Sequence, residues 1–300
     1  MLTDDLLSFL AAESVAATPV SMPDLTPFPV IRVGDRRLWL HLVEPDQYVR
    51  ETPRPAFFQE LSDQFQRQGD RLIHLWADVW RQKPAVVQSR LRALAGSSQR
   101  IPGRLTRARR IDRPTATAFL EKNHLQVVTQ SKFNYGLFLP ARYFRVLSDA
   151  YRQSLEPESA ELLVAVATFS HPRTIPRNGQ PARSVELVRF ASRLDCTVVG
   201  GLDKLLKAFI AAHHPDDIMT YADRDWSAGR SYEQLGFARV GVTQPHEFWL
   251  DPATGHRHYP HRLPETAPHL IRIYNAGSIK FVLACGVGQQ TPSYFFVPSA

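Results

Sequence analysis

One continuous stretch, residues 186–237, constrains the fold more than any other part of the sequence. An apolar segment predicts a strand over 185–191, and a glycine pair then leads into a helical pattern over 202–213. A second strand is predicted over 217–222, followed by a short helix over 231–235 that ends at a glycine. Strands that alternate with helices in this way are typical of an α/β protein.

The glycine pair Gly200-Gly201 stands directly before the helix of this stretch. Adjacent glycines let the backbone approach a ligand closely. The free N–H groups and the dipole of a helix start favour a phosphate at such a place. A plain turn is the alternative interpretation. The stretch is not a G-x-x-x-x-G-K-[S/T] loop, because Lys204 does not directly follow the second glycine.

The residues after this helix carry a resemblance to a known family. They read Tyr221-Ala-Asp-Arg-Asp-Trp-Ser-Ala-Gly-Arg-Ser-Tyr-Glu-Gln-Leu-Gly-Phe. Together with the glycine pair, this pattern resembles the cofactor core of the GNAT acyltransferase superfamily. The residue pattern is more specific than that of GNAT proteins in general, and it is similar to the GNAT-like (Mom-like) module of phage homing-endonuclease-type proteins. Phe119-Leu-Glu-Lys-Asn-His-Leu-Gln and Tyr274-Asn-Ala-Gly-Ser-Ile-Lys-Phe-Val-Leu also match that module.

The resemblance covers about residues 111–283 and implies a GNAT-like mixed sheet flanked by helices. It implies acetyl-CoA or another acyl-CoA as cofactor, with the pyrophosphate on the loop before the long helix and the pantetheine between splayed strands. The residues that this assigns to the cofactor are Val199, Gly200, Gly201, Leu202 and Lys204. The chain departs from the module at an insertion over 141–158, which leaves the acceptor open.

Acyl transfer to an amine needs a base for the acceptor and an acid for the leaving thiolate. Tyr232 matches the tyrosine that serves as that acid in the resembling family. Asp223 and His124 are expected to prepare the acceptor. The alternatives are that Asp223 pairs with Arg224 or caps the next helix, and that His124 is an ordinary helix C-cap. The residues expected to contact the acceptor substrate are Asn123, Lys132, Glu186, Arg189, Arg224 and Trp226.

The N-terminal region shows a second, weaker resemblance. Strands are predicted over 30–33 and 37–42, a helix over 56–68, a strand over 71–76 and a helix over 83–95. Arg71-Leu-Ile-His-Leu-Trp-Ala-Asp-Val-Trp is similar to the end of a very-short-patch-repair-like nuclease domain. Such nucleases hold a metal with an Asp…(Asp/Glu)-x-Lys set, which is absent from this region. We therefore expect a smaller, degenerate restriction-endonuclease-like α/β domain, with Asp35 as a turn former and Asp78 as a helix cap.

Charge is concentrated in one segment. The chain carries 36 Lys and Arg against 29 Asp and Glu, a net charge of +7. Residues 81–113 contain ten basic residues and one acid, Asp112. Such a stripe is typical of a nucleic-acid partner. Charge alone does not name that partner, and we expect DNA rather than RNA. A solvated helix face with a flexible basic linker is the alternative. The arginines assigned to nucleic acid are Arg90, Arg92, Arg104, Arg107, Arg109 and Arg110.

These patterns predict a domain organisation. We expect a flexible tail over 1–26, the nuclease-like domain over 27–96, a basic linker over 97–110, the GNAT-like domain over 111–285 and a tail over 286–300. The apolar runs are shorter than the roughly 20 residues that cross a bilayer. No export signal is visible, and Cys196 and Cys285 are too few for a disulfide framework. We expect a cytoplasmic protein without a membrane partner.

Two further points complete the expectations. His256, His258 and His261 have the spacing of a metal site, but their basic, proline-containing surroundings favour an exposed loop, and no metal is expected. The leading function is acyl transfer from a coenzyme A-type donor, with nucleic acid as substrate or recruiter. The alternatives are a non-catalytic nucleic-acid-binding protein built from two degenerate folds, and a small-molecule or aminoacyl transferase that recruits RNA.

Overall fold

The computed structural model describes residues 1–34, 36–155, 160–177, 180–263 and 269–285. Asp35 and the predicted tail over 286–300 lie outside the described residues. The helices are α1 (Leu2–Ala12), α2 (Pro45–Glu51), α3 (Phe57–Arg67), α4 (Ala77–Gln82), α5 (Pro84–Ala95), α6 (Arg113–Asn123), α7 (Asp149–Gln153), α8 (Gly201–His213) and α9 (Arg230–Gln234). Short 3₁₀ helices occupy Gly103–Leu105, Ala141–Val146 and Pro260–Arg262.

The strands follow in chain order. They are β1 (Ala17–Val20), β2 (Val30–Val33), β3 (Leu38–Val43), β4 (Arg71–Trp76), β5 (Gln99–Pro102), β6 (Arg107–Arg110), β7 (Phe133–Pro140), β8 (Glu161–Phe169), β9 (Arg173–Arg177), β10 (Gln180–Ser192), β11 (Cys196–Val199), β12 (Asp217–Asp223), β13 (Ala238–Val242), β14 (Glu247–Leu250), β15 (Arg257–His258), β16 (Ile271–Tyr274) and β17 (Ser278–Ala284). In the described part of the chain, no helix is both long enough and apolar enough to cross a membrane.

The chain divides into two compact units. The first comprises Met1–Val87, Tyr221–Glu233 and Arg239–Lys280. The second comprises Gln88–Thr220, Gln234–Ala238 and the chain from Phe281 onward. Residues 88–96, expected at the end of the first domain, therefore belong to the second unit.

The first unit contains a four-stranded sheet in the order β1-β2-β3-β4. β3 and β4 run parallel, whereas β1–β2 and β2–β3 are antiparallel. A three-stranded sheet in the order β15-β14-β16 lies in the same unit. Phe28, Phe58, Trp76, Leu250 and Ile273 share one apolar core. The N-terminal residues thus form a small α/β arrangement, and its nuclease resemblance stays a prediction.

Two histidines lie at the centre of the β3–β4 pair. His41 and His74 face each other in register and are fully buried. Their Nδ1 atoms lie 2.9 Å apart, and His41 Nε2 lies 2.7 Å from Thr26 Oγ1. His74 Nε2 lies 2.8 Å from Ser62 Oγ and 3.1 Å from Phe58 O. Because a carbonyl only accepts, the contact with Phe58 O places the proton of a neutral His74 on Nε2, with Ser62 Oγ as a second acceptor, and His74 Nδ1 then accepts from His41 Nδ1–H. Thr26 then donates to His41 Nε2, which gives every ring nitrogen a partner.

The segment over 1–26 differs from the loose tail expected. Leu2, Leu6 and Leu10 of α1 are buried, with at most 2% of each exposed. Their spacing of four residues places them on one face of the helix. β1 then pairs antiparallel with β2. Pro and Ser in this segment suggested a tail, but the leucine spacing was the signal for an anchored helix.

The large sheet has the order β13-β17-β12-β10-β8-β7-β6, with β9 paired to β10. Its strands from β6 to β10 lie in the second unit and pair antiparallel, whereas β10 and β12 are parallel. Val166 packs with α6, and Phe169 stacks on Phe209 of α8 with ring centroids 3.8 Å apart. Residues three apart on a strand face opposite sides, so helices cover both faces. The predicted class, an α/β protein with a mixed sheet flanked by helices, is confirmed.

The segment over 97–110 also differs from the linker expected. It contains β5, which pairs in parallel with β11, and β6, which pairs with β7 and ends the order of the large sheet. Its Arg, Gly and Pro content is typical of a linker, but its backbone groups are used in two sheets. The insertion that begins at residue 141 contains the 3₁₀ helix Ala141–Val146 and α7.

Candidate functional site

In the second unit, two parallel strands pair over only part of their length. Ser184–Glu186 of β10 pairs with Asp217–Met219 of β12, and the described register ends there. Thr220 Oγ1 donates to Leu187 O at 3.0 Å. The pairing of β10 with β8 shifts register between Leu187 and Arg189, which is a β-bulge. The described β10–β12 pairing therefore ends next to the bulge of β10.

The glycine pair forms the start of α8. Gly200 is the N-cap residue with φ +73°, a left-handed conformation that favours glycine. A Cβ placed on Gly200 would meet nothing within 4 Å, so the space above it is open. Gly201 is buried against Val198, whereas Val199 is 46% exposed. The first N–H groups of α8 therefore follow an N-cap glycine with open space beside it, and such a helix start has room for a phosphate group.

Gly103 supports this loop and was missed by the sequence analysis. A Cβ on Gly103 would lie 2.7 Å from Val199 O and 3.2 Å from the Gly200 carbonyl carbon. The ammonium of Lys204 donates to Gly103 O at 3.0 Å and to Thr106 O. Lys204, predicted to contact the cofactor, thus holds the 3₁₀ helix Gly103–Leu105 against the start of α8. The sequence placed Gly103 in a linker, so nothing local indicated this contact.

Asn123 and Arg189 have structural partners in the second unit. Asn123 Nδ2 donates to Phe119 O at 2.7 Å, and its Oδ1 accepts the Leu194 N–H at 2.7 Å. Arg189 donates to its neighbour Val188 O at 2.8 Å. These contacts fix the end of α6 and the β10 bulge.

The other three acceptor-side residues in the second unit differ in their exposure. His124 is the C-cap residue of α6, its backbone N–H bonds to Leu120 O, and its Nδ1 accepts the Gln126 N–H at 3.1 Å. Lys132 is exposed, and Glu186 is half-buried at the end of the β10–β12 pairing. We keep these three as proposed acceptor residues.

In the first unit, the turn after β12 is fixed by several contacts. Asp223 is half-buried, and its Oδ1 accepts the Asp225 N–H at 3.0 Å. Arg224 is 4% exposed and donates to Asp63 and to Gln59 O. Trp226 is buried, and its carbonyl accepts from Arg71 at 3.0 Å. Arg224 and Trp226, predicted to contact substrate, therefore have structural partners, and we leave them out of the proposed site.

Asp225 is a residue that the sequence analysis missed. It is 4% exposed, and its Oδ1 accepts the Ala276 N–H at 2.9 Å. Burial first, and then the charge of Asp223, raise the pKa of Asp225 to about 7, while Ala276 N–H, Arg257 and the Trp76 indole oppose the rise. Perturbed carboxyl groups of this kind are concentrated at functional sites. Two aspartates separated by one residue were the available signal.

Asp78 is not the helix cap that was expected. The N-cap residue of α4 is Trp76, and no side chain caps it. Asp78 instead accepts two hydrogen bonds from Arg257, at 2.6 Å from Nε and 2.9 Å from Nη2. The Arg257 guanidinium also lies 4.8 Å from the Trp76 ring. This ion pair joins α4 to β15 within the first unit.

Tyr232 and the histidine loop complete the first unit. Tyr232 is half-buried in α9, and its N–H bonds to Gly229 O at 2.8 Å. The rings of His256 and His258 lie 4.6 Å apart. Among the residues that the structure describes, no three His, Cys, Asp or Glu side chains are grouped to hold a metal.

The predicted nucleic-acid arginines fall into two groups. Arg92 pairs with Asp195 at 2.9 Å, and Arg109 pairs with Glu161 and lies 3.5 Å over the Phe138 ring. Arg104, Arg107 and Arg110 are exposed, while Arg90 is half-buried on α5. The charge stripe thus divides into arginines that stabilise the unit and arginines that face solvent.

Comparison with known proteins adds likenesses to solved structures. No protein-family model matches the chain, and the comparison with curated proteins gives no match. The crystal structure of the NatC complex bound to Gag peptide and CoA matches with a TM-score of 0.34 and 11% identity, over 60% of this chain and 98% of that one. The KacTA–DNA complex matches with a TM-score of 0.29 and 19% identity, over 45% of this chain and 86% of that one.

Proposed function

We propose that the protein transfers an acyl group from acetyl-CoA or another acyl-CoA to an amine, and that nucleic acid is its substrate or recruiter. The observation that carries the proposal is the open Gly200 N-cap of α8 in the same unit as the partly paired β10 and β12. Val199, Gly200, Gly201 and Leu202 would hold the pyrophosphate through backbone N–H groups. Lys204 supports this loop indirectly, through its hydrogen bonds to the carbonyl groups of Gly103 and Thr106.

The chemistry assigns one role to each proposed residue. The thioester supplies an activated acyl carbon. His124 of the second unit is proposed to orient the acceptor amine and take its proton. The sequence pattern gives Asp223 that role too, and the resemblance gives Tyr232 the transfer of a proton to the departing thiolate sulfur, so that an amide and a free thiol result. Lys132 and Glu186 contact the acceptor. Asp225 fixes the Asp223 carboxylate through its backbone N–H.

Calorimetric titration with acetyl-CoA tests the cofactor part. We expect binding by the wild type and at least tenfold weaker binding by Gly200→Asp, because a carboxylate at the N-cap repels phosphate. Gly200→Asn is the matched control, since Asn also tolerates the left-handed conformation and carries no charge. Absence of both heat and a thermal shift in the wild type would reject the proposal, and equal binding by the two variants would reject the loop assignment.

A non-catalytic nucleic-acid-binding protein is the second candidate, favoured by the exposed arginines of β6 and of the 3₁₀ helix before it. It predicts salt-steep binding of DNA without any cofactor. Asp223→Asn and Tyr232→Phe would leave that binding unchanged, and loss of DNA binding in both variants would contradict it. Acyl transfer that both variants abolish, with DNA binding intact, would favour the enzyme.

A further inference from the structure

The large sheet has one end at which several cations are gathered. β6 and β7 pair with Arg107 opposite Phe138, and β7 and β8 pair with Pro140 opposite Glu161. Arg107 therefore lies near the Glu161 end of β8. Arg104 precedes it on the 3₁₀ helix Gly103–Leu105, and both side chains are exposed.

The segment that follows β7 adds cations at the same end. Arg142 and Arg145 are exposed on the 3₁₀ helix Ala141–Val146, directly after Pro140. Phe138 precedes Arg142 by four residues, so the backbones of Arg107 and Arg142 lie within about 20 Å of each other. The Ser148 N–H bonds to Gln99 of β5 at 3.0 Å, which ties this segment to the start of the basic stretch.

Both cations of that segment lie near one aromatic ring. The guanidinium groups of Arg142 and Arg145 lie 4.8 Å and 5.7 Å from the Tyr143 ring centroid. Tyr143 is half-buried. Neither 97–110 nor 141–148 contains an Asp or Glu. Of the acids that follow, Glu156 and Glu158 lie outside the described residues, Asp149 pairs with Arg152, and Glu161 pairs with Arg109.

We propose that this end of the large sheet, comprising Arg104, Arg107, Arg142, Tyr143 and Arg145, is a docking surface for single-stranded nucleic acid. The proposal rests on the nucleic-acid part of the proposed function and names the surface that serves it. Guanidinium groups bind the phosphate backbone, and a base stacks on the tyrosine ring. Arg142, Tyr143 and Arg145 of the inserted segment are thereby assigned to the polymer.

The unit offers a charge-matched control. Arg173 of β9 and Arg183 of β10 are both exposed. In the β9–β10 pairing, Arg173 lies opposite Ser184 and Arg183 lies opposite Thr174. Leu187 of β10 pairs with Phe169, so this hairpin lies beyond the Phe169 end of β8. Nine residues of strand separate the two ends, about 27 Å. Arg173→Ala/Arg183→Ala removes the same charge as Arg142→Ala/Arg145→Ala, but at the opposite end.

The test is fluorescence anisotropy with a labelled 12-nucleotide oligothymidine over a series of salt concentrations. We expect Arg142→Ala/Arg145→Ala to lower the slope of log K against log salt by about 1.4, since each single-strand phosphate contact contributes about 0.7. Tyr143→Ala is expected to weaken binding about tenfold with little change in slope, and Tyr143→Phe is expected to bind like the wild type. The control pair should leave the slope nearly unchanged.

Other outcomes overturn the proposal in distinguishable ways. Equal slopes for the test pair and the control pair would show general attraction rather than a surface. Tighter binding of a duplex of the same length would overturn the single-strand assignment. If the wild type binds no nucleic acid, the nucleic-acid part of the proposed function fails as well. If the test pair loses acetyl-CoA binding in calorimetry while keeping oligothymidine binding, these arginines serve the cofactor phosphates instead.

Discussion

The histidine pair of β3–β4 in the first unit and the glycine loop before α8 in the second unit satisfy their polar groups in opposite ways. In the first unit, each ring nitrogen of His41 and His74 has a protein partner, and both rings are fully buried. In the second unit, the N-cap glycine of α8 is exposed and has open space above it. A closed network can contribute only to stability, whereas an open helix start is available to a ligand.

The largest expected effect comes from breaking the closed network. His74→Leu removes the acceptor of the His41 Nδ1–H and leaves a buried donor unpaired, so we expect a loss of about 2–4 kcal/mol in the free energy of unfolding. His41→Leu/His74→Leu removes both partners and should cost less than the sum of the single changes. Urea unfolding of the three variants measures the coupling, and additive costs would show that the two rings do not share a hydrogen bond.

The pH dependence of stability sharpens the same contrast. Burial lowers the pKa of His74 to about 3. Burial, and after it the charge interaction with His74, holds the pKa of His41 well below 6.5. The unfolded state then binds more protons than the folded state below pH 6.5, so stability falls as the pH falls from 6.5 towards 3. Asp225 acts with the opposite sign between about pH 4 and 7, because its pKa is raised in the folded state.

The contribution of the histidines is therefore obtained as a difference. The free energy of unfolding of the wild type minus that of His41→Leu/His74→Leu, measured between pH 7 and 4.5, should decrease with decreasing pH by up to about 1.4 kcal/mol per pH unit and histidine. A difference that stays constant over this range would contradict neutral buried rings.

A smaller effect is expected from the glycines of the second unit. Gly103→Ala places a Cβ against the backbone of Val199, so the loop or the 3₁₀ helix must shift, at a cost of about 1–3 kcal/mol. Gly200→Ala meets no neighbour and pays only for its left-handed conformation, about 1 kcal/mol. Thermal unfolding and acetyl-CoA titration of both variants compare the effect of losing the Gly103 contact with the effect of straining the Gly200 backbone. A larger loss for Gly200→Ala in both measurements would argue against Gly103 as the support.

The smallest effect is expected at the exposed ion pairs of the charge stripe. Arg109 and Glu161 have side chains that are 49% and 31% exposed, and solvent screens such pairs. Arg109→Ala should lower the free energy of unfolding by about 1 kcal/mol or less, part of it from the lost contact with the Phe138 ring. Arg104→Ala, which removes an exposed cation of the same segment, is the control and should change stability less. A cost above about 2 kcal/mol for Arg109→Ala would show that this edge is part of the core.

Local patterns predicted much of the fold. The strands over 30–33 and 71–76 have the predicted bounds, and α3, α5 and α8 differ from prediction by one residue at either end at most. These segments have clear apolar periodicity and glycine stops. β5 and β6 were missed because their composition is that of a loop, and only pairing with β11 and β7 makes them strands.

The sequence by itself determined the α/β class, the glycine start of α8 and the position of the charge stripe, because each depends on neighbouring residues. The tertiary structure decided which polar groups form hydrogen bonds or ion pairs within the protein. Arg224 pairs with Asp63, Lys204 binds the carbonyls of Gly103 and Thr106, and Asp225 is buried beside Asp223. A side chain's partner and its desolvation depend on residues distant in the chain, so only the folded structure separates supporting residues from those open to a ligand.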